Sequence, residues 1–239
     1  MPLETWLVAL TVTAVAALLQ GTVGVGYAVV TVPILALIHP DLAPMPQILT
    51  ALPLTLAMLW REHASVDFKG AGWLVAGRVP GIFLGIGLLA IASQRTLDLI
   101  IGLIVLAGVA VLAFGLHIRR TAWTQFGAGV ASGTTGFVAA IGGPPTALLY
   151  SSAEAATLRS TLAGVFSVGI SMSIVARFVS GNATTTDIRI ALGLLPAVLV
   201  GWFLSTMIKD RVPRERVRMG VFVVSAVAAI GLVLQSLLG

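Results

Sequence analysis

The chain has 239 residues, 58% of them hydrophobic and only 10% charged, with a net charge of +5 and a mean hydropathy of +1.05. A soluble domain carries about 25% charged residues, so this composition excludes a soluble globular protein and defines an integral membrane protein. The basic residues sit in short connectors rather than on one face or tail, which argues against nucleic acid as a partner, and the absence of cysteine excludes disulfides and thiolate metal sites.

Apolar runs separated by polar breaks predict segments at 5–20, 24–38, 46–60, 70–91 and 98–117, then at 123–135, 137–150, 158–178, 186–208 and 217–238. They are apolar around their whole circumference and rich in Leu, Val, Ala and Gly, as helices packed in lipid are; the strands of a membrane barrel would alternate. No Lys or Arg precedes Arg61, so the first run lacks the charged start of a cleaved leader and is kept as structure, the chain beginning at or near Met1. The expected fold is an all-α polytopic membrane protein, one domain over residues 1–239.

Five segments are followed by five, and the two sets match. GTVG at 21–24 is followed by Pro33, and GTTG at 133–136 by Pro145, the proline falling 12 residues after the first glycine in each. GRVPGIFLG at 77–85 and GLLPAVLVG at 193–201 share Gly, Pro and Gly at the same spacing. Two matches at nearly one offset indicate a duplication, with repeat one over 1–120 and repeat two over 121–239.

Loop charge tests how the glycine-broken runs are threaded. If each is a single span, basic residues divide evenly between the two sides. If each run reverses at its glycines, Arg95, Arg177 and Arg189 fall on one side and ten others on the opposite one, as the positive-inside bias requires. The repeats are then inverted, both termini lie outside, and the loop KDRVPRERVR is cytoplasmic. The short segments after each break are re-entrant or spanning, and either keeps the parity.

Irregular backbone at membrane depth is tolerated only where it is buried in protein or lines a watery cavity. In inverted-repeat transporters such broken helices meet near the midplane, and their N-termini bind anions. The candidate site is therefore Gly21, Thr22, Gly24, Gly26 and Pro33 in the first half, with Gly133, Thr134, Thr135, Gly136, Gly142, Gly143, Pro144 and Pro145 in the second. The glycines let backbone approach a ligand and the threonines add hydroxyls, set against their use in close helix packing, as in GVASG at 129–133 and GIFLG at 81–85.

Arg78 lies eight residues inside the segment 70–91, where a charge is expensive and functional by default. With Pro80 opening the helix beside it, Arg78 reads as an anion ligand, against the alternative that it snorkels to the interface near Lys69. Other polar groups carry less. His63 with Glu62 and Asp67 reads as a solvated loop rather than a metal site, Glu154 as a solvated loop acid, and Ser151 and Ser152 lack a catalytic His and Asp. No phosphate-binding GxxxxGK[ST] motif is present. The chain reads as a non-enzyme without cofactor or metal, any energy coupling being to an ion gradient.

GTVGVGYAVVTVPIL, SGTTGFVAAIGGPP, the segment RVPGIFLGIGLLA and the basic loop before the last helix together resemble the TauE/SafE sulfite exporter family, also described as sulfonate uptake permeases. The resemblance covers essentially the whole chain; Tyr27, Ala28 and Val29 stand where many relatives carry further glycines. It implies a secondary transporter, an exporter of sulfite or an organosulfonate, in the cytoplasmic membrane of bacteria. The partners it implies are a small sulfur-containing anion and the lipid bilayer, with proton coupling and a homodimer left open. An anion channel and a non-transporting membrane scaffold are the alternatives.

Overall fold

The structure, a computed structural model, describes residues 1–113, 118–209 and 214–238. Among these residues there are ten α-helices and no strand. In chain order they are α1 (Leu3–Val23), α2 (Tyr27–Ile38), α3 (Met45–Glu62), α4 (Phe68–Ile91) and α5 (Gln94–Ala113). There follow α6 (Ala122–Ala139), α7 (Gly143–Leu149), α8 (Ala155–Val179), α9 (Thr185–Ile208) and α10 (Arg214–Leu238). Among the described residues α1, α4, α8, α9 and the stretch Pro40–Ser65 around α3 are long and apolar enough to cross a bilayer. Leu7, Phe83, Val175, Leu192 and Val227 are exposed, the surface a bundle presents to lipid rather than water.

The glycine breaks turn the chain back on itself. α1 ends on Gly24, whose φ of 99° suits a residue without Cβ and whose N–H bonds the Gln20 carbonyl. α2 then starts level with Gln20, because the Tyr27 N–H donates to Gln20 Oε1 at 3.0 Å, and runs back until Leu35 packs with Ala9. In the second half α6 continues through Gly133–Gly136 to Ala139, so its break lies at 140–142 rather than within 135–137. Gly129 and Gly133 pack α6 backbone to backbone on α4, a contact made by a regular helix through this stretch, and the left-handed Ala140 ends it. The returning chain drops to the level of Ser132, which donates to the Gly142 carbonyl, and α7 carries it to Tyr150, beside Gln125 near the start of α6. α4, by contrast, is unbroken at Pro80.

Small residues decide which helices pair. A Cβ at Gly77 or Gly81 would strike the α6 carbonyls of Phe126 or Val130, and one at Gly129 or Gly133 would strike those of Leu74 or Arg78 on α4. α4 and α6 therefore lie parallel with backbones in contact, driven by the packing that replaces the hydrophobic effect in lipid. The same device pairs α1 with α9, where Gly193 faces Trp6, Gly201 faces Ala14 and Ser205 faces Gly21. α3 meets α8 and α5 meets α10 in antiparallel fashion, Glu62 reaching Arg159 and Arg95 donating to the Ser236 and Leu237 carbonyls.

These directions place the N-terminal end of α1 and the C-terminal end of α10 on one face of the bundle, with Arg95, Arg177 and Arg189. The opposite face carries Arg61, Lys69, Arg120, Arg159 and Lys209. The predicted segment 98–117 extends to 114–117, and the loop KDRVPRERVR includes 210–213; both stretches lie outside the described residues.

Candidate functional site

Between the two breaks lies a buried cavity of about 40 Å³. Its walls are Gln20 at the end of α1, Val25–Val29 across the first break, Ile48 and Ala51 of α3, and Arg78 of α4. Gly136, Ala140–Gly143 and the α8 residues Phe166, Ile170 and Ser173 complete it. Five residues singled out from the sequence line it: Gly26, Arg78, Gly136, Gly142 and Gly143.

Arg78 is 2% exposed, so its side chain points into the bundle and does not reach the interface beside Lys69. Nη1 donates to Ser132 Oγ at 2.9 Å, and Ser132 donates onward to the Gly142 carbonyl at 2.7 Å. The guanidinium carbon stands 5.8 Å from the centre of the Phe166 ring, and the buried Nε has no hydrogen-bond partner. No carboxylate pairs with Arg78 among the described residues. A buried cation with spare donors and no acid is a costly arrangement unless an anion joins it.

Room for that guanidinium is made by glycines. A Cβ at Gly136 would lie 3.0 Å from Nη2, one at Gly142 3.3 Å from Nη1, and one at Gly169 would overlap Nε. Gly169 belongs to a face of α8, Phe166, Gly169, Ile170 and Ser173, that sits on the arginine at spacings of three and four residues. The Ser173 hydroxyl is buried and unpartnered. Across the cavity the Tyr27 hydroxyl is held by Thr50 at 2.7 Å. Gln20, Tyr27, Ser132, Phe166, Gly169 and Ser173 had no part in the site drawn from the sequence. Gln20 and Ser173 carried a usable signal, as polar side chains inside apolar runs; Gly169 carried none, because its role depends on a helix four segments away.

The other candidates stand elsewhere. Gly21 packs on Ser205, Gly24 on Leu158 and Arg159, and Gly133 on the Arg78 backbone. The hydroxyls of Thr22, Thr134 and Thr135 are spent on main-chain carbonyls: Leu18, then Gly81 and Val130, then Ala131 and Ile141. Pro33 is buried within α2. Thr135, Pro144 and Pro145 line a separate groove of about 480 Å³ between α5, α6 and α7. That groove is larger than the central cavity but almost wholly apolar, so it offers an anion nothing. Pro144 and Pro145 also lack N–H groups, which leaves the start of α7 poor in donors.

Each end of the bundle is tied near the cavity. On the basic face Glu62, 8% exposed at its side chain, accepts from Arg159 at 2.8 and 2.9 Å and from Lys209 at 2.8 Å, with Arg61 at 3.5 Å. Arg61 also donates to the Gly21 carbonyl at 2.6 Å. The acid read as part of a solvated loop is thus the centre of a half-buried network joining α1, α3, α8 and α9. Asp67 instead caps α4 through the Gly70 N–H. On the opposite face Arg177 donates to the carbonyls of Phe137 and Val138 at the end of α6, a cation set on a helix C-terminus. It lines a vestibule of about 300 Å³ with Asp41, Asn182, Thr184 and Asp187.

A helical bundle with two reversing breaks around a small cavity that holds a buried cation has the build of a membrane transporter. The chain belongs to the sulfite exporter TauE/SafE family, whose model matches residues 9–232. No curated protein and no solved structure matches it. Membership makes the protein a multi-pass membrane transporter.

Proposed function

We propose that the protein is a secondary transporter that carries a small sulfur oxyanion or organosulfonate across the bacterial cytoplasmic membrane, as an exporter, with Arg78 as the charge that holds it. The observation that carries this reading is the Arg78 guanidinium, buried in a cavity between two chain reversals, with an unsatisfied donor and no carboxylate partner among the described residues. The N-terminal end of α2, the positive end of its dipole, borders the same cavity through Gly26–Val29, and the Ser173 hydroxyl is free to donate.

Movement follows from how the halves interlock. α1 rests on α9 and α6 on α4, so the first helix of each half pairs with the fourth of the other. α3 against α8 and α5 against α10 pair equivalents in opposite directions. A two-fold axis in the membrane plane generates this pattern, which supports inverted repeats at 1–120 and 121–239 that rock about the cavity. The Glu62 network is the closure on the basic, cytoplasmic side, and the vestibule beside Arg177 is the approach from the side that holds both termini.

Flux of labelled sulfite and of methanesulfonate into proteoliposomes tests the proposal. Saturable flux that Arg78→Met abolishes supports a carrier with this site. Flux that rises linearly with concentration means a channel, and no flux with any sulfur anion removes the transport reading.

A further inference from the structure

Resting on the anion site just described, we infer that the cavity selects by charge: it takes singly charged oxyanions and rejects doubly charged ones. The reason is the charge count inside it. Arg78 contributes one permanent positive charge, and every other lining residue from α1, α2, α3, α6, α7 and α8 is neutral. Gln20, Tyr27 and Ser173 are the polar ones, and among the described residues of the lining Tyr27 is the only titratable group besides Arg78, its hydroxyl engaged by Thr50.

The charged groups nearest the cavity are already answered. Arg177 stands one turn beyond Ser173 on α8, but its guanidinium is turned onto the Phe137 and Val138 carbonyls and neutralises the end of α6. Arg159, Arg61 and Lys209 surround Glu62 on the basic face, and none of the four lines the cavity. The half-charge at the start of α2 is partly spent on Gln20 Oε1, which takes the Tyr27 N–H.

A monoanion therefore cancels the charge of Arg78, which no carboxylate answers among the described residues. A dianion brings a second negative charge into a space of about 40 Å³, room for about three waters at ~10–15 Å³ each, so there is little solvent to stabilise the excess. The donors suit oxyanion oxygens, and the volume suits a compact head group. For an acid that loses its second proton near neutral pH, the bound species is the hydrogen-bearing monoanion. Such an anion carries its own proton through a cavity with no carboxylate or imidazole among the described residues of its lining.

The test is binding to the detergent-purified full chain by isothermal titration, with three probes across neutral pH. Methanesulfonate is a monoanion throughout, sulfate a dianion throughout, and inorganic phosphate changes from one to the other. Methanesulfonate affinity is expected to stay constant, and sulfate to bind at least tenfold more weakly. Phosphate affinity should fall roughly tenfold as its monoanion fraction falls from nine-tenths to one-tenth. Sulfate binding as tightly as methanesulfonate, or phosphate binding that tightens as pH rises, overturns the charge rule. If Arg78→Lys and Arg78→Met abolish that same binding, the anion site survives the loss of the rule. Binding of no probe, or binding that both variants leave unchanged, removes the site and the rule together. The pH comparison uses the wild-type chain alone, so the charge rule is tested even where a variant fails to fold.

Discussion

Arg78 on α4 and Ser132 on α6 are joined by a 2.9 Å hydrogen bond between Nη1 and Oγ across a helix pair whose backbones touch at glycines. Ser132 passes the interaction to the Gly142 carbonyl at the second chain break. The position of the break and the orientation of the cation are therefore one structural fact, and movement of α7 is felt at the guanidinium.

Replacing Arg78 by Met separates function from stability. An unpaired buried cation costs more than an apolar side chain of similar volume, so the variant should melt at the wild-type temperature or above it. It should also lose the stabilisation that a saturating anion gives, about 2.7 kcal/mol at a hundredfold excess over Kd. Thermal melts with and without methanesulfonate read both; a large drop in the ligand-free Tm would make Arg78 a structural residue.

Gly169→Ala places a methyl where Arg78 Nε lies, whereas Gly87→Ala on α4 meets nothing within 4 Å. The first should cost about 1–3 kcal/mol and weaken anion binding at least tenfold by displacing the guanidinium. The second should be neutral or gain up to ~1 kcal/mol from helix propensity. Comparing Tm and anion affinity of the two checks both.

Gly77→Val tests the α4–α6 seam. Its side chain would enter the Phe126 carbonyl and the Gly129 backbone, atoms that have no freedom to move aside. A loss above ~3 kcal/mol is expected, visible as failure to purify as a monodisperse species.

Glu62→Gln leaves Arg159 and Lys209 without their shared acid in a mostly buried setting. A loss of about 3 kcal/mol is expected, along with a rise in protease or thiol-reagent access at the basic face measured on single-cysteine variants near Gly24. Unchanged access would deny the network a role in closing that face.

Asp67 carries the expected pH dependence. Burial alone would raise its pKa, but the Gly70 N–H, the Tyr150 hydroxyl at 2.8 Å and the Arg120 charge outweigh it and hold the carboxyl below its ordinary range. A lowered folded pKa means the contribution is full above the ordinary aspartate range and is lost as pH falls through the lowered value. Asp67→Asn should therefore melt lower than wild type at neutral pH, and the gap should close on acidification.

Several decisions were legible in the chain alone. Composition set the solvent, the apolar runs marked ten segments with ends close to those of the helices except at the second break, and loop charge required the runs to reverse, because each of these depends on local sequence or on simple parity. Arg78 stood out for the same reason, as a charge in a segment with no other. The first break fell close to the expected 21–23, at 24–26, with Gly21 inside α1.

What only the tertiary structure decided was how those pieces meet. The glycines of GTTG lie inside α6 and make room for α4 and Arg78, and the second break lies beyond them at the left-handed Ala140, because the fit of α6 on α4 is a contact between distant segments. The threonine hydroxyls that looked available to a ligand are taken by carbonyls of their own helix and its neighbours. Gly169, Ser132 and Ser173 belong to the cavity because helices from both halves of the chain converge there. Glu62, a loop acid in one dimension, is buried among three cations drawn from 61 to 209. Pattern within a segment reports which solvent it faces, whereas the partner of a given side chain is set by close packing and hydrogen bonds between segments far apart in sequence, which in lipid do the work that the hydrophobic effect does in water.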